Sequence, residues 1–166
     1  MTQKKTIVIL TCLIIAAILI AYLAFSAIMN NSTTLYVDPQ IAKNAVGQDF
    51  NINISISSVA DLYGWQLQLS WNKTMLDVVN VTEGPFLKSG ANSPFFVQRI
   101  NETGSLLSFC TLQGNVSGVS GSGVLATIQF HVTGSGECDL HLYGTILVSS
   151  SEQSIAHIVK SGKFST

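Results

Sequence analysis

An uncharged apolar segment at the N-terminus divides this chain into two parts suited to different surroundings. Residues 7–29 contain no Asp, Glu, Lys or Arg, and about 20 apolar residues cross the hydrocarbon core of a bilayer as one helix. Lys4 and Lys5 precede the segment, and the next basic residue is Lys43. Because positive charge resists translocation, residues 1–6 are predicted to be cytoplasmic and the chain beyond residue 30 to be extracellular. The sequence thus predicts a single-pass protein of the cell membrane.

The same segment also has features of a cleaved signal peptide. Signal peptides have an apolar core of about 7–15 residues followed by small residues at the cut, and Ala24, Phe25 and Ser26 are a candidate cut. The apolar run continues to Met29, which favours an uncleaved anchor. We therefore predict an anchor or signal segment at 7–29, a linker at 30–33 and one exported domain at 34–166. Cleavage would make that domain a secreted protein.

The predicted exported domain is mildly acidic. The chain has eight Lys and Arg residues, of which six follow Lys4 and Lys5, and it has nine Asp and Glu residues. Nucleic-acid-binding proteins present a basic surface to the phosphate backbone. No basic cluster is present in the sequence, so we expect no nucleic-acid partner.

Residues suited to catalysis or metal binding are sparse. Charged residues make up only 10% of the chain, and His131, His141 and His157 are its only histidines. Catalysis needs convergent titratable groups, and calcium sites need oxygen-rich loops. No Gly-x-Ser-x-Gly motif joins a strand to a helix, and no Asp-x-Asp-x-Asp loop occurs. We predict no enzyme activity, no catalytic residue, no metal site and no cofactor.

Glycosylation motifs are enriched in the chain. Seven asparagines lie two residues before Ser or Thr with no Pro between them, as N-glycosylation requires. Asn30 and Asn31 are close to the predicted membrane segment, which disfavours their modification. The remaining candidates are Asn53, Asn72, Asn80, Asn101 and Asn115. The alternative is that Asn, Ser and Thr are simply common in β-rich chains.

The region after residue 33 shows the period of β-strands. Short alternating segments rich in β-branched and aromatic residues are separated by Gly, Asn, Ser and Pro, which is typical of strands and turns. Nine strands and no helix are predicted, at 34–38, 50–57, 62–71, 76–81, 95–100, 105–112, 124–132, 140–148 and 155–164. This pattern predicts an all-β, two-sheet antiparallel sandwich. Residues 114–123, with four glycines, are predicted to form a flexible connection.

Several of these segments together resemble the cohesin domain. They are residues 46–54, 61–71, 75–81, 84–87 and 121–132, and the resemblance extends from about Leu35 to Phe164. The order and spacing of the segments carry it, because each one alone is a core-packing or turn pattern. One departure is Trp71 followed by Asn72, where the family usually has an aromatic residue followed by Asp.

The resemblance implies a nine-stranded jelly-roll sandwich that binds another protein. Cohesins hold dockerin modules, usually on polysaccharide-degrading enzymes, through the face of a sheet formed by strands three, five, six and eight. Gln66, Gln68 and Ser70 on strand three are expected to point outward on that face. Strand six has no clear orientation, because Leu106, Leu107 and Phe109 break its alternation.

The same topology bears on the two exported cysteines, Cys110 and Cys138. Two cysteines in an oxidising compartment suggest either a disulfide or two buried thiols. The resemblance places strand three between them, and two strand spacings of about 9.5 Å exceed the roughly 7 Å limit for bridging. A disulfide is therefore disfavoured.

An alternative function is carbohydrate binding, or a structural role at the cell surface with no dockerin partner. Surface polysaccharide would stack on a row of exposed aromatic rings, and Tyr63, Trp65 and Trp71 share one side of a predicted strand. Trp65 is the candidate for sugar contact. Leu67 and Leu69 lie on the same side, which favours a core position for all three aromatic residues.

Overall fold

The computed structural model describes residues 14–21, 32–90 and 93–166. The second compact unit of the chain spans Thr33–Thr166. It contains ten strands: β1 (Thr34–Asp38), β2 (Ile41–Lys43), β3 (Asp49–Ser70), β4 (Leu76–Glu83), β5 (Phe95–Asn101), β6 (Ser105–Thr111), β7 (Val119–Val132), β8 (Glu137–Ser149), β9 (Ile158–Lys160) and β10 (Gly162–Ser165). A short 3-10 helix at Leu87–Ser89 lies between β4 and β5.

The all-β class is as predicted, but the count of nine strands and the absence of any helix are corrected. The predicted strands 50–57 and 62–71 are halves of one 22-residue strand, β3. The predicted strand 155–164 is divided into β9 and β10, and β2 was not predicted. The strands β2 and β9 have only three residues each, which is too short to show an alternating pattern.

Strand β3 belongs to two sheet layers. Its first half pairs with β1 and β7, and these with β9 and β4 form a layer that we call the back sheet. Its second half pairs with β6 and β8, and these with β5, β10 and β2 form the front sheet. One continuous strand thus links the two sheets.

The core lies between these two sheets and is made of inward-facing aliphatic and aromatic residues. Phe50 of the back sheet stacks on Phe164 of the front sheet, with ring centroids 4.8 Å apart. Trp71 meets Phe130 edge-on at 5.2 Å, and the Trp71 Nε1–H donates to the carbonyl of Leu76 at 2.8 Å. All the buried side chains of the described residues lie within Thr33–Thr166, so this unit has its own core.

A bend in β3 marks the passage from the back sheet to the front sheet. Ser58 and Asp61 adopt positive φ angles of 55° and 56°, and the pairing of β3 with β7 changes register here. Such bulges leave backbone N–H groups without ladder partners. Hydroxyls of Ser122 and Ser120 accept hydrogen bonds from the N–H groups of Ser58 and Asp61, at 3.0 and 2.8 Å.

The Asp61 side chain joins this bend to two distant loops. Its carboxylate accepts a hydrogen bond from the Gly118 N–H at 2.8 Å and from the Ser150 hydroxyl at 2.7 Å. These bonds, with that of Ser150 the strongest, lower the pKa of Asp61 below its ordinary value. Gly118 is required at this contact, because a Cβ there would lie 2.4 Å from the Asp61 backbone.

The glycine-rich stretch 114–123 is therefore not the flexible connection that the sequence predicted. Its second half belongs to β7, which begins at Val119 rather than at Val124. Gly118 packs closely against the bend of β3, and Ser120 and Ser122 supply hydroxyls to it. A composition typical of loops thus serves a tight backbone contact.

The predicted membrane segment at 7–29 lies mostly outside the described residues. Residues 14–21 are helical. Across the described parts of the chain, no helix has the length and apolar character needed to cross a bilayer. Asn30, Asn31 and Cys12 also lie outside the described residues.

Truncating the ring that meets both Phe50 and Trp71 tests the packing between the sheets. Phe130 is fully buried, so Phe130→Ala is expected to lower the free energy of unfolding of Thr33–Thr166 by about 3–5 kcal/mol in urea denaturation. Val79→Ala, at an exposed position of β4, serves as control and is expected to change it by less than about 0.5 kcal/mol. Equal effects of the two substitutions would contradict this packing.

The Asp61 contacts predict a pH-dependent contribution to stability. Because the folded-state pKa of Asp61 is lowered, its carboxylate stabilises the fold above the unfolded pKa of about 3.9, and this is lost as the pH falls through the folded pKa. Asp61→Asn is expected to lower the melting temperature at pH 7, and the difference from wild type is expected to shrink below about pH 4. Asp139→Asn, at an exposed pair with Lys163, is the control. A difference independent of pH would refute the assignment.

Candidate functional site

The outer face of the front sheet has four rows of side chains across β5, β6, β3 and β8. The strand register aligns residues directly opposite one another, and these share a face. The first row is Phe95, Thr111, Gly64 and Val148, and the second is Val97, Phe109, Gln66 and Ile146. The third is Arg99, Leu107, Gln68 and Tyr143, and the fourth is Asn101, Ser105, Ser70 and His141.

This face changes from apolar to polar along the strands. Phe95 is 49% exposed and Ile146 is 48% exposed, and the rings of Phe95 and Phe109 lie 6.3 Å apart. The last row is polar throughout. A contiguous exposed apolar area on a soluble domain marks an interaction surface. We call the sixteen positions of the four rows the front face.

A groove of about 730 Å³ lies at the apolar end of the front face. Its lining includes Phe109 and Thr111 on one side and Ile146 and Val148 on the other. Gly64 lies between them on β3 and contributes no side chain, so the groove runs over bare backbone. Loop residues 114–116, Ser150 and Glu152, with Ser149 at the end of β8, also line the groove. The shape is concave and mostly apolar, which suits an apolar group of a ligand or partner.

Both loops at the groove are held by specific hydrogen bonds. The Tyr63 hydroxyl donates to the Gly114 carbonyl at 2.6 Å, and the Asp61 carboxylate accepts from the N–H and hydroxyl of Ser150. The positions of these loops therefore depend on the bend of β3. The groove is a preformed feature of the fold.

The predicted binding residues Gln66, Gln68 and Ser70 lie on the front face, and each is partly exposed. Their role in binding stays a prediction. The sequence analysis missed the apolar residues around them, such as Phe109 and Ile146. The signal that pointed to them was the broken alternation of β6: Leu106 faces the core, while Leu107 and Phe109 face outward.

Trp65, the candidate for sugar contact, is corrected by its burial. It is 3% exposed and its ring packs against Phe96 with centroids 6.1 Å apart. Trp71 is buried too. Because a sugar stacks on an exposed ring face, Trp65 offers no such platform.

Cys110 and Cys138 are free thiols. Cys110 on β6 lies opposite Trp65, whereas Cys138 on β8 lies opposite Phe164. Strand β3 runs between β6 and β8. Burial raises the pKa of Cys110 to about 12, with a further contribution from the Glu83 carboxylate, and burial also raises the pKa of Cys138. Both residues are therefore protonated at neutral pH and are weak nucleophiles.

The candidate glycosylation sites are distributed unevenly over the surface. Asn53 and Asn80 lie on β3 and β4 of the back sheet. Asn72 lies between β3 and β4, and Asn101 is the last residue of β5; the Oδ1 of each accepts a hydrogen bond from the hydroxyl of the Thr two residues later. Asn115 lines the groove. Glycosylation at all five positions stays a prediction.

Titratable side chains on the described residues do not form a metal-binding cluster of three or more His, Cys, Asp or Glu residues. The closest pairing is that of His131 with Asp49, at 2.6 Å on the exposed surface of the back sheet. His141 stacks on Tyr143, and His157 contacts the Thr145 hydroxyl. These contacts stabilise local structure.

Solved structures similar to this chain include cohesins. A non-cellulosomal cohesin from the hyperthermophilic archaeon Archaeoglobus fulgidus is 22% identical, with a TM-score of 0.67 over 80% of this chain and 89% of that chain. The cohesin in a type I cohesin–dockerin complex from Clostridium thermocellum that involves OlpA is 13% identical, with a TM-score of 0.70 over 81% and 99%. A type II cohesin domain from the cellulosome of Acetivibrio cellulolyticus is 16% identical, with a TM-score of 0.68 over 80% and 95%.

Sequence comparison gives the family directly. Among curated protein sequences, none matches the chain significantly. The cohesin domain family matches residues 37–165, which is most of the chain and nearly all of the unit Thr33–Thr166. This chain therefore belongs to the cohesin domain family, whose members are non-catalytic protein-interaction modules.

Proposed function

We propose that this protein is a membrane-tethered extracellular docking module that binds a dockerin-type partner through its front face. The partner would carry polysaccharide-degrading or other surface proteins to the cell surface. The observation that carries the proposal is the apolar surface on the front face of a cohesin domain. Apolar residues at the centre of an interface with a polar rim are the usual arrangement of protein recognition sites.

Relatives of the chain support this choice of partner. Several structurally similar cohesins were solved in complex with dockerins. The similarity to a non-cellulosomal cohesin favours a partner that is not limited to cellulosomes. Carbohydrate binding is less favoured, because Trp65 is buried.

Tethering to the membrane is part of the proposal and rests on the sequence. Residues 7–29 form an uncharged apolar run with Lys4 and Lys5 on one side, as single-pass anchors do. The domain that follows would then face the outside of the cell, where it would meet an exported partner. Removal of the segment would release the same domain as a secreted module.

A capture experiment tests docking. Residues 33–166 are a suitable bait, because they contain their own core and match solved cohesin chains over up to 99% of those chains' length. The bait is expected to retain from the host's exported proteins one with paired calcium loops, and a chelator is expected to release it. Phe109→Lys is expected to weaken binding at least about tenfold, since it places a charge in the centre of the interface.

Asn51→Lys is the matched control for that substitution. It places the same charge on an exposed position of β3 on the back sheet, and binding is expected to be unchanged. Capture that survives Phe109→Lys would place the interface elsewhere. Capture of polysaccharide alone would replace docking by glycan binding.

Extraction experiments test the anchor. The full chain is expected to stay in membranes washed with alkaline carbonate, and Ile18→Arg is expected to reduce insertion because Arg at a helix centre costs about 2.5–3.5 kcal/mol. Ile18→Leu is the control and is expected to insert normally. Recovery of the domain from the medium, with the intact mass of a chain that begins after Ser26, would show a signal peptide and contradict the anchor.

A further inference from the structure

The front face combines an apolar groove with a cationic side chain that forms no ion pair among the described residues. Arg99 is exposed on β5, and the four ion pairs among the described residues do not include it. None of the sixteen front-face positions, all of which are described, carries a carboxylate. A net acidic domain thus presents, on its front face, one guanidinium outside the ion pairs of the described residues. Such a group favours a carboxylate on whatever covers it.

One carboxylate lies directly at the groove. Glu152 lines the groove in the loop after β8, whereas Arg99 lies in the third row of the front face. The Asp61 carboxylate close by is occupied by Ser150 and Gly118. The front face thus has a cation in its third row and a carboxylate beside the groove, and the exposed Glu102 follows its fourth row. A partner with an acidic group is favoured in one orientation and repelled in the reverse one.

Side chains rather than backbone groups must recognise a partner at the groove. Along the groove, β6 pairs with β5 and β3, and β3 pairs with β6 and β8, so the strands that form its floor cannot accept an added strand. A helix presents side chains of one face to a groove at regular spacing. The occupant that suits this surface is thus an amphipathic helix.

From these observations we propose that the front face selects a helix with two features: a bulky apolar side chain that fills the groove over Gly64, and an Asp or Glu that pairs with Arg99. Gly64 and Arg99 are two rows apart along the strands and two strands apart across them, which corresponds to about 16 Å. A helix rises 1.5 Å per residue, so the apolar and the acidic side chain of the partner helix are expected to be about 11 residues, or three turns, apart. The inference rests on the proposed function and specifies the partner's chemistry.

The proposal explains why Gly64 has no side chain. Its φ is not in the left-handed region and a Cβ there meets its nearest neighbour, the Thr111 Oγ1, at 3.3 Å. The backbone therefore permits other residues with a small adjustment. A larger side chain at this position would point outward and fill the groove. Gly64→Leu is thus a steric block of the groove on an otherwise intact face.

The test is a selection of helices against the purified unit Thr33–Thr166. The probe is a yeast-displayed three-helix scaffold in which the exposed face of one helix is randomised. Selected helices are expected to carry a bulky apolar residue and an acidic residue about three turns apart. Their binding to Gly64→Leu and to Arg99→Glu is expected to be at least about tenfold weaker. Changing the acidic residue of the helix to Lys is expected to restore binding to Arg99→Glu.

Matched controls carry the same changes on the back sheet. Asn51→Leu adds a bulky side chain on β3, and Lys160→Glu reverses a charge on β9; neither is expected to alter binding. Helices that bind Gly64→Leu and Arg99→Glu normally but not Phe109→Lys would overturn the proposed pairings and leave docking on the front face intact. Helices indifferent to all three substitutions would overturn both proposals.

Discussion

The continuity of β3 through its bend is the constraint on which the rest of this structure depends. A 22-residue strand that pairs with four others sets the register of both sheets. Its bend breaks the hydrogen-bond ladder, and unpaired backbone groups are costly when buried. The hydroxyls of Ser120 and Ser122 accept hydrogen bonds from N–H groups at the bend. The Asp61 carboxylate accepts hydrogen bonds from Gly118 and Ser150, which holds their loops beside the bend. The groove exists because these loops are held there.

Two opposite surfaces result from this frame. The back sheet exposes the Asp49 and His131 pair and a hydrogen bond from the Thr127 hydroxyl to the side-chain oxygen of Asn53, with exposed apolar residues on its β4 and β9 strands. The front face is apolar at one end and polar at the other. The difference between these surfaces, rather than any catalytic group, distinguishes the two sides of the domain. It is what a recognition module requires.

The sequence predicted much of the fold because strand alternation reports burial directly. Phe50, Ile52 and Ile54 are inward-facing as the pattern predicted, and Gln66 and Gln68 are outward-facing. The bend of β3 was not predictable, since Ser58 and Asp61 give no local signal for positive φ angles. The short strands β2 and β9 depend on pairing with β10 and β1, which are contacts distant in sequence.

The candidate site was less predictable than the fold. Alternation separates inside from outside only when one side is polar. On β6 both sides are apolar, because Leu106 packs in the core while Leu107 and Phe109 cover the outer surface. Composition alone cannot distinguish these two roles. The register with β3 and β5 does so, since it places Phe109 beside Gln66 and Val97.

That alternation also separates two kinds of change in the sequence. Along β3, Trp65, Leu67 and Leu69 fill the core. The intervening residues Gln66 and Gln68 are partly exposed on the outer side of the sheet. Substitutions at the outward positions alter recognition without creating cavities. A domain of this design can acquire new partners one residue at a time while its stability is nearly unchanged. Positions open to changes in specificity thus alternate, along one strand, with positions that stabilise the fold.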